Sequence, residues 1–102
     1  MAENPITIIN NKDRQRFEAK IDDDYAYIDY RMHDGQMVLM HTFVPVKLRG
    51  KHIADELARF ALAYLEKEKI PAKIYCPFVT AYIQRHPEYQ HWKSKLTKDI
   101  QS

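Results

Sequence analysis

The residues that most clearly could bind a ligand form a short basic loop. Lys47, Arg49 and Lys51 surround Gly50 just before the predicted start of a helix at Ile53. The first turn of a helix has backbone N–H groups without intrahelical partners, and it carries the positive end of the helix dipole. A glycine beside such a turn lets the backbone approach a ligand closely. This combination is typical of a site for a phosphate or pyrophosphate.

The same loop also has a simpler interpretation. Basic residues before a helix can be solvated side chains, and a glycine can serve only to turn the chain. A helix start normally carries a Ser, Thr or Asp cap, whereas here cations come first and acids follow only at Asp55 and Glu56. An external anion in place of the cap would explain that order. From the residues alone, both interpretations remain open.

Cys76 and His41 are the candidate catalytic side chains. Cys76 is the only cysteine, and its thiol could accept an acyl group or interact with a leaving group. The alternative for a lone cysteine is a small buried apolar residue. His41 lies among apolar cross-strand neighbours, so it could be a general base near neutral pH or a core histidine bonded to a backbone carbonyl. The residues alone favour the structural alternative for both.

The chain before position 45 has the period-two pattern of β-strands. Four strands are predicted, at Ile6–Ile9, Arg16–Ile21, Tyr25–His33 and Gln36–Val44. Asp34-Gly35 predicts a two-residue turn between the last two strands, with His33 opposite Gln36. Continuing that register gives one face with four pairs: Met32–Met37, Tyr30–Leu39, Ile28–His41 and Ala26–Phe43. We expect this face to form the core, with His41 as its one polar member.

After position 50 the pattern becomes helical. A helix is predicted from Ile53 to Ile70, just before Pro71. It is followed by a short buried strand within Ala72–Cys76, a helix at Val79–Arg85 and a partly helical tail over Glu88–Ser102. The order β-β-β-β-α-β-α predicts a single α/β (α+β) domain, residues 1–102, with a mixed sheet. A right-handed crossover makes the fourth and fifth strands parallel, and a ligand site is expected where strand ends diverge.

The composition excludes several classes of protein. A chain of 102 residues, 45% of them apolar, can bury one core. One cysteine excludes a disulfide-stapled scaffold, and His33, His86 and His91 lack metal-ligand spacing, so no metal is expected. There is no apolar run of the about 20 residues that span a membrane, and no signal-peptide pattern. We expect a soluble cytoplasmic protein. The net charge of +2, with both signs interspersed, does not favour nucleic acid as a partner.

The stretch from Met40 to Tyr89 resembles the small single-domain branch of the GCN5-related N-acetyltransferases. Their acetyl-CoA signature, Arg/Gln-x-x-Gly-x-Gly/Ala, lies between the fourth strand and the following helix. Here the segment is Arg49-Gly50-Lys51-His52-Ile53-Ala54, in which the first and last residues match and His52 replaces the central glycine. A second block, Cys76-Pro77-Phe78-Val79 with Tyr82-Ile83-Gln84-Arg85-His86-Pro87-Glu88-Tyr89, is similar to that branch's strand-end cysteine, short helix and Arg-x-Pro-x-aromatic segment. The segment His41-Thr42-x-Val44 also resembles it.

The resemblance implies a minimal acetyltransferase-like fold that moves an acetyl group from acetyl-CoA, its cosubstrate, to a primary amine. It implies that the pyrophosphate is held at Arg49, Gly50, Lys51, His52, Ile53 and Ala54. It also implies that a backbone N–H near Phe43 or Val44 polarises the thioester carbonyl, and it keeps catalytic roles open for Cys76 and His41. The chain lacks the early helices and last strands of a full-length acetyltransferase, so an open acceptor site is expected, suited to a flexible or protein-borne amine.

Two alternative functions remain. A non-catalytic acyl-CoA-binding module would use the same loop without a positioned base. A small nucleic-acid or protein interaction domain would use the basic strip Lys47–Lys51 on its mixed sheet. We expect a monomer or weak dimer, and no membrane partner.

Overall fold

The computed structural model describes residues 6–95, which form a five-stranded sheet with two helices packed on one face. The strands are β1 (Thr7–Asn11), β2 (Arg16–Ile21), β3 (Asp24–His33), β4 (Gln36–Phe43) and β5 (Ala72–Ile74), and the helices are α1 (Ile53–Glu68) and α2 (Pro77–Arg85). The strands lie in chain order, and all neighbours are antiparallel except the parallel pair β4–β5. The predicted fold class, element order and parallel pair are therefore confirmed, although β1 begins and ends later than the predicted Ile6–Ile9.

One hydrophobic core lies between the sheet and the helices. Alternate strand residues face it, and those fully buried include Phe17, Ile28, Leu39 and Ile74. From α1 the core receives residues spaced three and four apart, namely Ile53, Leu57, Ala58, Ala61, Leu62 and Leu65. The Phe17 ring lies 5.2 Å from that of Tyr30 and 5.4 Å from that of Tyr64 on α1. This packing fixes α1 across the sheet, and with it the loop that precedes the helix.

The turn between β3 and β4 has the predicted form. Asp34 and Gly35 have φ angles of 53° and 78°, the two positive values that this two-residue turn requires. His33 pairs with Gln36 as predicted, and the predicted register holds for the first four pairs of the hairpin.

Further along, β4 contains a bulge that the sequence analysis did not predict. Tyr30 pairs with Leu39, but Asp29 pairs with His41, so Met40 is an extra residue in β4. Side chains alternate along a strand, and one extra residue therefore moves every later side chain to the opposite face.

The bulge corrects the predicted core face. The predicted pairs Ile28–His41 and Ala26–Phe43 are wrong, because Ile28 pairs with Thr42. Thr42 thus takes the inward position that was predicted for His41. The side chains of His41 and Phe43 lie on the outward face of the sheet, away from the helices, and both are exposed. The interpretation of His41 as a core histidine is therefore wrong.

The parallel strands β4 and β5 separate before β4 ends. Their pairing ends at Leu39 with Ile74. The backbone N–H groups of Tyr75 and Cys76 then both donate to the Leu39 carbonyl, at 2.9 and 3.1 Å. β5 turns away at this point, whereas β4 continues to Phe43. The ends of the two strands therefore diverge beyond this point, which is the kind of position where a ligand site was expected.

As far as Lys95, the tail after α2 does not form a regular α-helix. Pro87–Lys95 forms 3-10 turns that are interrupted at Tyr89. Trp92 is buried, and its Nε1–H donates to Glu66 Oε2 at 2.8 Å, which ties this segment to α1. The rest of the predicted tail, residues 96–102, lies outside the described residues. Within residues 6–95, neither helix combines the length and the apolar character needed to cross a membrane.

Candidate functional site

A pocket of about 320 Å³ opens where the loop after β4 meets the start of α1 and one side of α2. It is lined by Val44, Leu48, Arg49, Gly50, His52, Ile53, Ala54, Asp55, Phe78 and Arg85. A short 3-10 turn, Val46–Leu48, buries the Leu48 side chain and so anchors the loop to the core. The predicted basic loop is one wall of this pocket, and α2 forms the other.

Two left-handed residues shape the loop. Gly50 has a φ of 82°, and His52 has φ and ψ of 62° and 21°. The N–H of Glu56 donates to the His52 carbonyl at 3.1 Å, so α1 begins here, but the His52 side chain forms no capping hydrogen bond. The first N–H groups of α1 are therefore left without a side-chain cap beside the pocket. His52 adopts the conformation that glycine favours, at a cost of about 1 kcal/mol.

The charges that line the pocket are two arginines and one aspartate. Arg49 Nε donates to the Val44 carbonyl at 3.0 Å, which holds the guanidinium against the end of β4. Arg85 Nη2 lies 3.6 Å from one oxygen of Asp55, and His52 Nδ1 lies 3.5 Å from the other. The surface combines two guanidinium groups with helix N–H groups, a combination that suits an anion.

Most of the predicted cofactor residues line this pocket, and two do not. Val44, Arg49, Gly50, His52, Ile53 and Ala54 all contribute to its walls. Lys51 is exposed beside the pocket without lining it. Phe43 faces the outward side of the sheet, where its ring centroid lies 5.4 Å from that of Tyr27.

Sequence reasoning missed four lining residues: Leu48, Asp55, Phe78 and Arg85. Phe78 and Arg85 are seven positions apart on α2, and this spacing places them on one face of a helix. The Arg85 guanidinium lies 6.0 Å from the centre of the Phe78 ring. The spacing was a usable signal for a common face, but only the packing of α2 beside the loop shows that this face meets the pocket.

Cys76 lies between β5 and α2, where β4 and β5 separate. Its side chain is fully buried, and its Sγ lies 2.7 Å from the Oγ1 of Thr42. Cys76 is also the residue from which α2 begins, and the N–H of Thr80 donates to its carbonyl at 3.0 Å. The thiol therefore links the end of β4 to the start of α2.

His41 lies on the other face of the sheet. Its side chain is 73% exposed, and its Nδ1 lies 3.5 Å from Oδ1 of Asp29. The same Asp29 oxygen accepts a hydrogen bond from the backbone N–H of His41 at 2.8 Å. Among the described residues, the polar partner of His41 is therefore Asp29 and that of Cys76 is Thr42. A direct Cys76–His41 pair is not formed.

The outward face around His41 is aromatic and is not covered by any described element. Tyr27 and Phe43 lie side by side there, and the Arg16 guanidinium lies 4.4 Å from the centre of the Tyr27 ring. Burial raises the pKa of the neighbouring Glu18, but hydrogen bonds from Arg16 and Asn11 outweigh it and lower that pKa overall. The ion pair between Arg16 and Glu18 is therefore a fixed, ionised part of the outward face.

The basic strip Lys47–Lys51 is not a continuous cationic surface. Lys47 Nζ lies 2.9 Å from Asp24, and the hydrogen bond and charge of this carboxylate raise the pKa of Lys47. Arg49 is turned back onto Val44. The strip therefore divides into a neutralised end at Lys47 and a pocket wall at Arg49, which disfavours its use as a polyanion-binding surface.

Tyr82 of α2 packs away from the pocket lining. Its ring stacks on His86 with centroids 4.1 Å apart and lies 5.6 Å from that of Tyr89. Burial, and then the neighbouring Tyr89, raise the pKa of Tyr82 to about 12. Its hydroxyl therefore remains protonated at neutral pH, and its role in this structure is to hold α2 to the tail.

The fold and the pocket now identify the class of protein. A sheet whose fourth and fifth strands separate beside a pocket lined by two arginines and a helix start is the arrangement that the sequence resemblance predicts. Residues 16–92, most of the chain, match the family described as GCN5-related N-acetyl-transferase. The chain therefore belongs to this family.

Individual relatives agree with this assignment. The chain is similar to Protein NATD1 of Mus musculus, with 29% identity over 94 residues that cover 85% of this chain and 82% of the relative. It is also similar to Protein NATD1 of Homo sapiens, with 29% identity over 94 residues, covering 85% and 80%. For Protein NATD1 of Danio rerio the identity is 25% over 93 residues, covering 84% and 81%. Each of these matches covers more than four fifths of both this chain and the relative.

Proposed function

We propose that this protein is an acetyl-CoA-dependent N-acetyltransferase whose acceptor is a primary amine. The observation that carries the proposal is the pocket itself, in which Arg49, Gly50 and the uncapped start of α1 form one surface in a member of this family. Acetyl-CoA supplies the activated acetyl group. The residues of the chain must hold its anionic end, polarise the thioester carbonyl and take a proton from the amine.

The pyrophosphate is assigned to the loop wall. The bond from Arg49 Nε to the Val44 carbonyl orients the guanidinium and leaves its two terminal amino groups for phosphate oxygens. A Cβ added at Gly50 would meet no atom within 4 Å, so the space beside this residue is open to a ligand. The N–H groups at the start of α1 supply further donors, and the helix dipole favours the negative charge.

The thioester is assigned to the position where β4 and β5 diverge. β4 extends beyond its last pairing with β5 at Leu39, and it ends next to Val44, which lines the pocket. Backbone groups of this segment are therefore available on the side from which β5 has separated. A backbone N–H near Phe43 or Val44 donates to the carbonyl oxygen and stabilises the negative charge that develops there during attack.

Removal of the amine proton is assigned to His41, as the general base. The bulge at Met40 places this imidazole on the outward face, where an acceptor can approach from solvent. Asp29 holds the His41 backbone and lies near its ring, so it positions the base. The uncovered aromatic pair Tyr27 and Phe43 lies on the same face, and such an open surface suits an amine on a flexible or protein-borne substrate.

Cys76 is assigned to the leaving group. A thiol that is fully buried and within 2.7 Å of the Thr42 hydroxyl is poorly placed to attack a carbonyl, because it would first have to leave this contact. The half-buried Thr42 hydroxyl can instead donate a hydrogen bond towards the CoA thiolate as it departs, while the Cys76 thiol donates to the hydroxyl oxygen and orients it. The other role that fits a cysteine, acceptance of the acyl group, would produce an acetylated protein.

Calorimetric titration with acetyl-CoA and a CoA-release assay with a panel of amines test the proposal. Arg49→Gln should weaken acetyl-CoA binding by about tenfold, since it removes a charge-assisted contact to phosphate. Lys47→Gln is a matched control, because Lys47 belongs to the same loop but pairs with Asp24 outside the pocket. We expect it to leave binding nearly unchanged. No binding of acetyl-CoA at millimolar concentration would refute the proposal.

A non-catalytic acyl-CoA-binding module is the alternative, and the placement of Cys76 and His41 on opposite faces favours it over any mechanism that joins the two side chains. Binding of acetyl-CoA without CoA release for any amine, together with no effect of His41→Gln, would support this alternative.

A further inference from the structure

Asp55 occupies an unexpected position for an acidic residue. It lies in the first turn of α1 and lines a pocket whose other charged groups are the cations Arg49 and Arg85. A carboxylate at a helix start is favourable for the helix itself because it faces the positive end of the dipole. It is unfavourable for an anionic ligand in the same pocket, because like charges repel at this range. The position therefore has a cost if the pocket is built for phosphate.

The contacts of Asp55 show how weakly its carboxylate is held in the pocket. One carboxylate oxygen lies 3.6 Å from Arg85 and the other lies 3.5 Å from His52, so a single acid faces both walls of the pocket. Both distances are longer than those of well-formed hydrogen bonds. The side chain of Arg85 is more than half exposed. Such loose surface pairs contribute little to folding, so a stronger anion can replace the carboxylate at small cost.

Arg85 has a position that suits such an exchange. It is the last residue of α2, and its guanidinium lies over the Phe78 ring on the wall opposite Arg49. Two arginines on opposite walls can contact a diphosphate from both sides. While Asp55 lies beside Arg85, its negative charge offsets the positive charge of the guanidinium and weakens the attraction of the α2 wall for an anion.

We propose that the Asp55 carboxylate competes with the anionic ligand for Arg85 in this pocket; this inference rests on the proposed function. In the free protein the carboxylate pairs with Arg85 and His52, and a diphosphate-bearing nucleotide such as CoA displaces it from Arg85. Arg85 then becomes a phosphate ligand on the α2 wall. Asp55 thereby lowers the affinity for every phosphate-bearing ligand, which favours release of CoA after transfer.

Calorimetric titration with CoA, and with inorganic pyrophosphate as a second probe, tests this inference. Asp55→Asn should tighten CoA binding by about three- to tenfold, because it removes one negative charge close to the phosphates. Glu56→Gln is the matched control: it makes the same charge change in the same helical turn, but Glu56 pairs with Arg59 and does not line the pocket. We expect it to leave the affinity unchanged.

A double-mutant cycle separates the role of Arg85 from a general charge effect. Arg85→Gln should weaken CoA binding modestly in the wild-type background and more strongly beside Asp55→Asn, because Arg85 is then fully available to the ligand. Pyrophosphate should follow the same order. Thermal unfolding of each variant shows that it is folded.

The outcomes distinguish this inference from the proposed function. If the wild-type protein binds CoA but Asp55→Asn binds no more tightly, or if Glu56→Gln gives the same gain, the competitor role of Asp55 is wrong and the CoA site stands. If neither the wild-type protein nor Asp55→Asn binds CoA, the proposed function is wrong and the inference fails with it.

Discussion

The Thr42 hydroxyl lies 2.7 Å from the Cys76 thiol, at the point where β4 and β5 separate. Thr42 reaches this position only because the extra residue Met40 reverses the alternation of β4. Without the bulge, His41 would point into the core and Thr42 would face solvent. One irregular residue thus assigns the two neighbouring side chains to opposite sides of the proposed reaction: Thr42 to the leaving group and His41 to the amine.

The first prediction concerns Cys76. Cys76→Ala should slow acetyl transfer by about tenfold, because the thiol that orients the Thr42 hydroxyl towards the leaving thiolate is lost. Cys76→Ser should retain most of the activity, since a hydroxyl is also a donor. The measurement is the rate of CoA release at saturating acetyl-CoA. Cys76→Ala should also lower the free energy of unfolding by about 1 to 2 kcal/mol, because a fully buried side chain is shortened.

Mass spectrometry of the wild-type protein after exposure to acetyl-CoA distinguishes the two roles of Cys76. We expect no acetylated protein. Accumulation of a species heavier by one acetyl group, absent in both Cys76→Ala and Cys76→Ser, would show that the thiol is the acyl acceptor and that its assignment to the leaving group is wrong.

A second prediction concerns the pair His41 and Asp29. His41→Gln should reduce the turnover rate by about a hundredfold while leaving acetyl-CoA binding unchanged, because it removes a general base that does not line the pocket. Asp29→Asn should have a smaller effect, since its side chain positions the base without touching the substrate. Tyr27→Phe, on the same face but without a proton-accepting role, serves as the control. Equal turnover in His41→Gln and the wild-type protein would show that another group takes the proton.

A third prediction concerns the left-handed residue His52. His52→Gly should raise the free energy of unfolding by about 0.5 to 1 kcal/mol, because glycine adopts this φ of 62° without the clash of a Cβ. A gain of that size corresponds to an increase in Tm of about 3 to 6 °C for a domain of this length. His52→Ala, which removes the imidazole but keeps the Cβ, should show no gain. A lower Tm in His52→Gly than in His52→Ala would mean that strain at this position is negligible.

The pH dependence of stability gives a fourth prediction, through Glu66. Hydrogen bonds from His91 and then Trp92 lower the pKa of Glu66 below its ordinary value of 4.5. A carboxyl group whose pKa is lowered by folding contributes stability that is fully present above its pKa in the unfolded chain. This stability is lost as the pH falls through its pKa in the folded protein. The stability advantage of the wild-type protein over Glu66→Gln should therefore be full at neutral pH and should disappear as the pH falls below about 4.5.

Urea unfolding followed by the fluorescence of Trp92, the only tryptophan, measures this difference. The carboxylate is nearly half exposed, so we expect a contribution below about 1 kcal/mol. Glu68→Gln, an exposed acid at the end of the same helix, is the control. An advantage over Glu66→Gln that stays constant from neutral to acidic pH would contradict the explanation by hydrogen bonds to an ionised carboxylate.

Local sequence patterns were sufficient to predict much of the fold. The Asp34-Gly35 pair predicts the turn and the first part of the hairpin register, because the conformation it requires is set within two residues. The periodicity of α1 predicts its buried face, and the crossover rule predicts the parallel neighbours β4 and β5. These features depend on neighbours in the sequence or on general handedness.

The candidate site was predictable only on its loop side. Arg49 and Gly50 stand out because charge and conformational freedom are properties of single residues. The bulge at Met40 could not be predicted, because an extra residue in a strand leaves an apolar pattern that fits either register. Asp55 and Arg85 could not be placed together because they come from different helices, and only packing brings α2 beside the loop.

The most direct test of the proposed CoA site is a two-dimensional ¹H–¹⁵N NMR titration of the wild-type protein with CoA. If CoA binds in the pocket, the largest amide shifts should fall on the wall from Arg49 to Asp55, with further shifts at Val44, Phe78 and Arg85. Shifts at Tyr27 and Phe43 on the outward face should be small. Shifts concentrated on the outward face, or none at millimolar CoA, would contradict the proposed site.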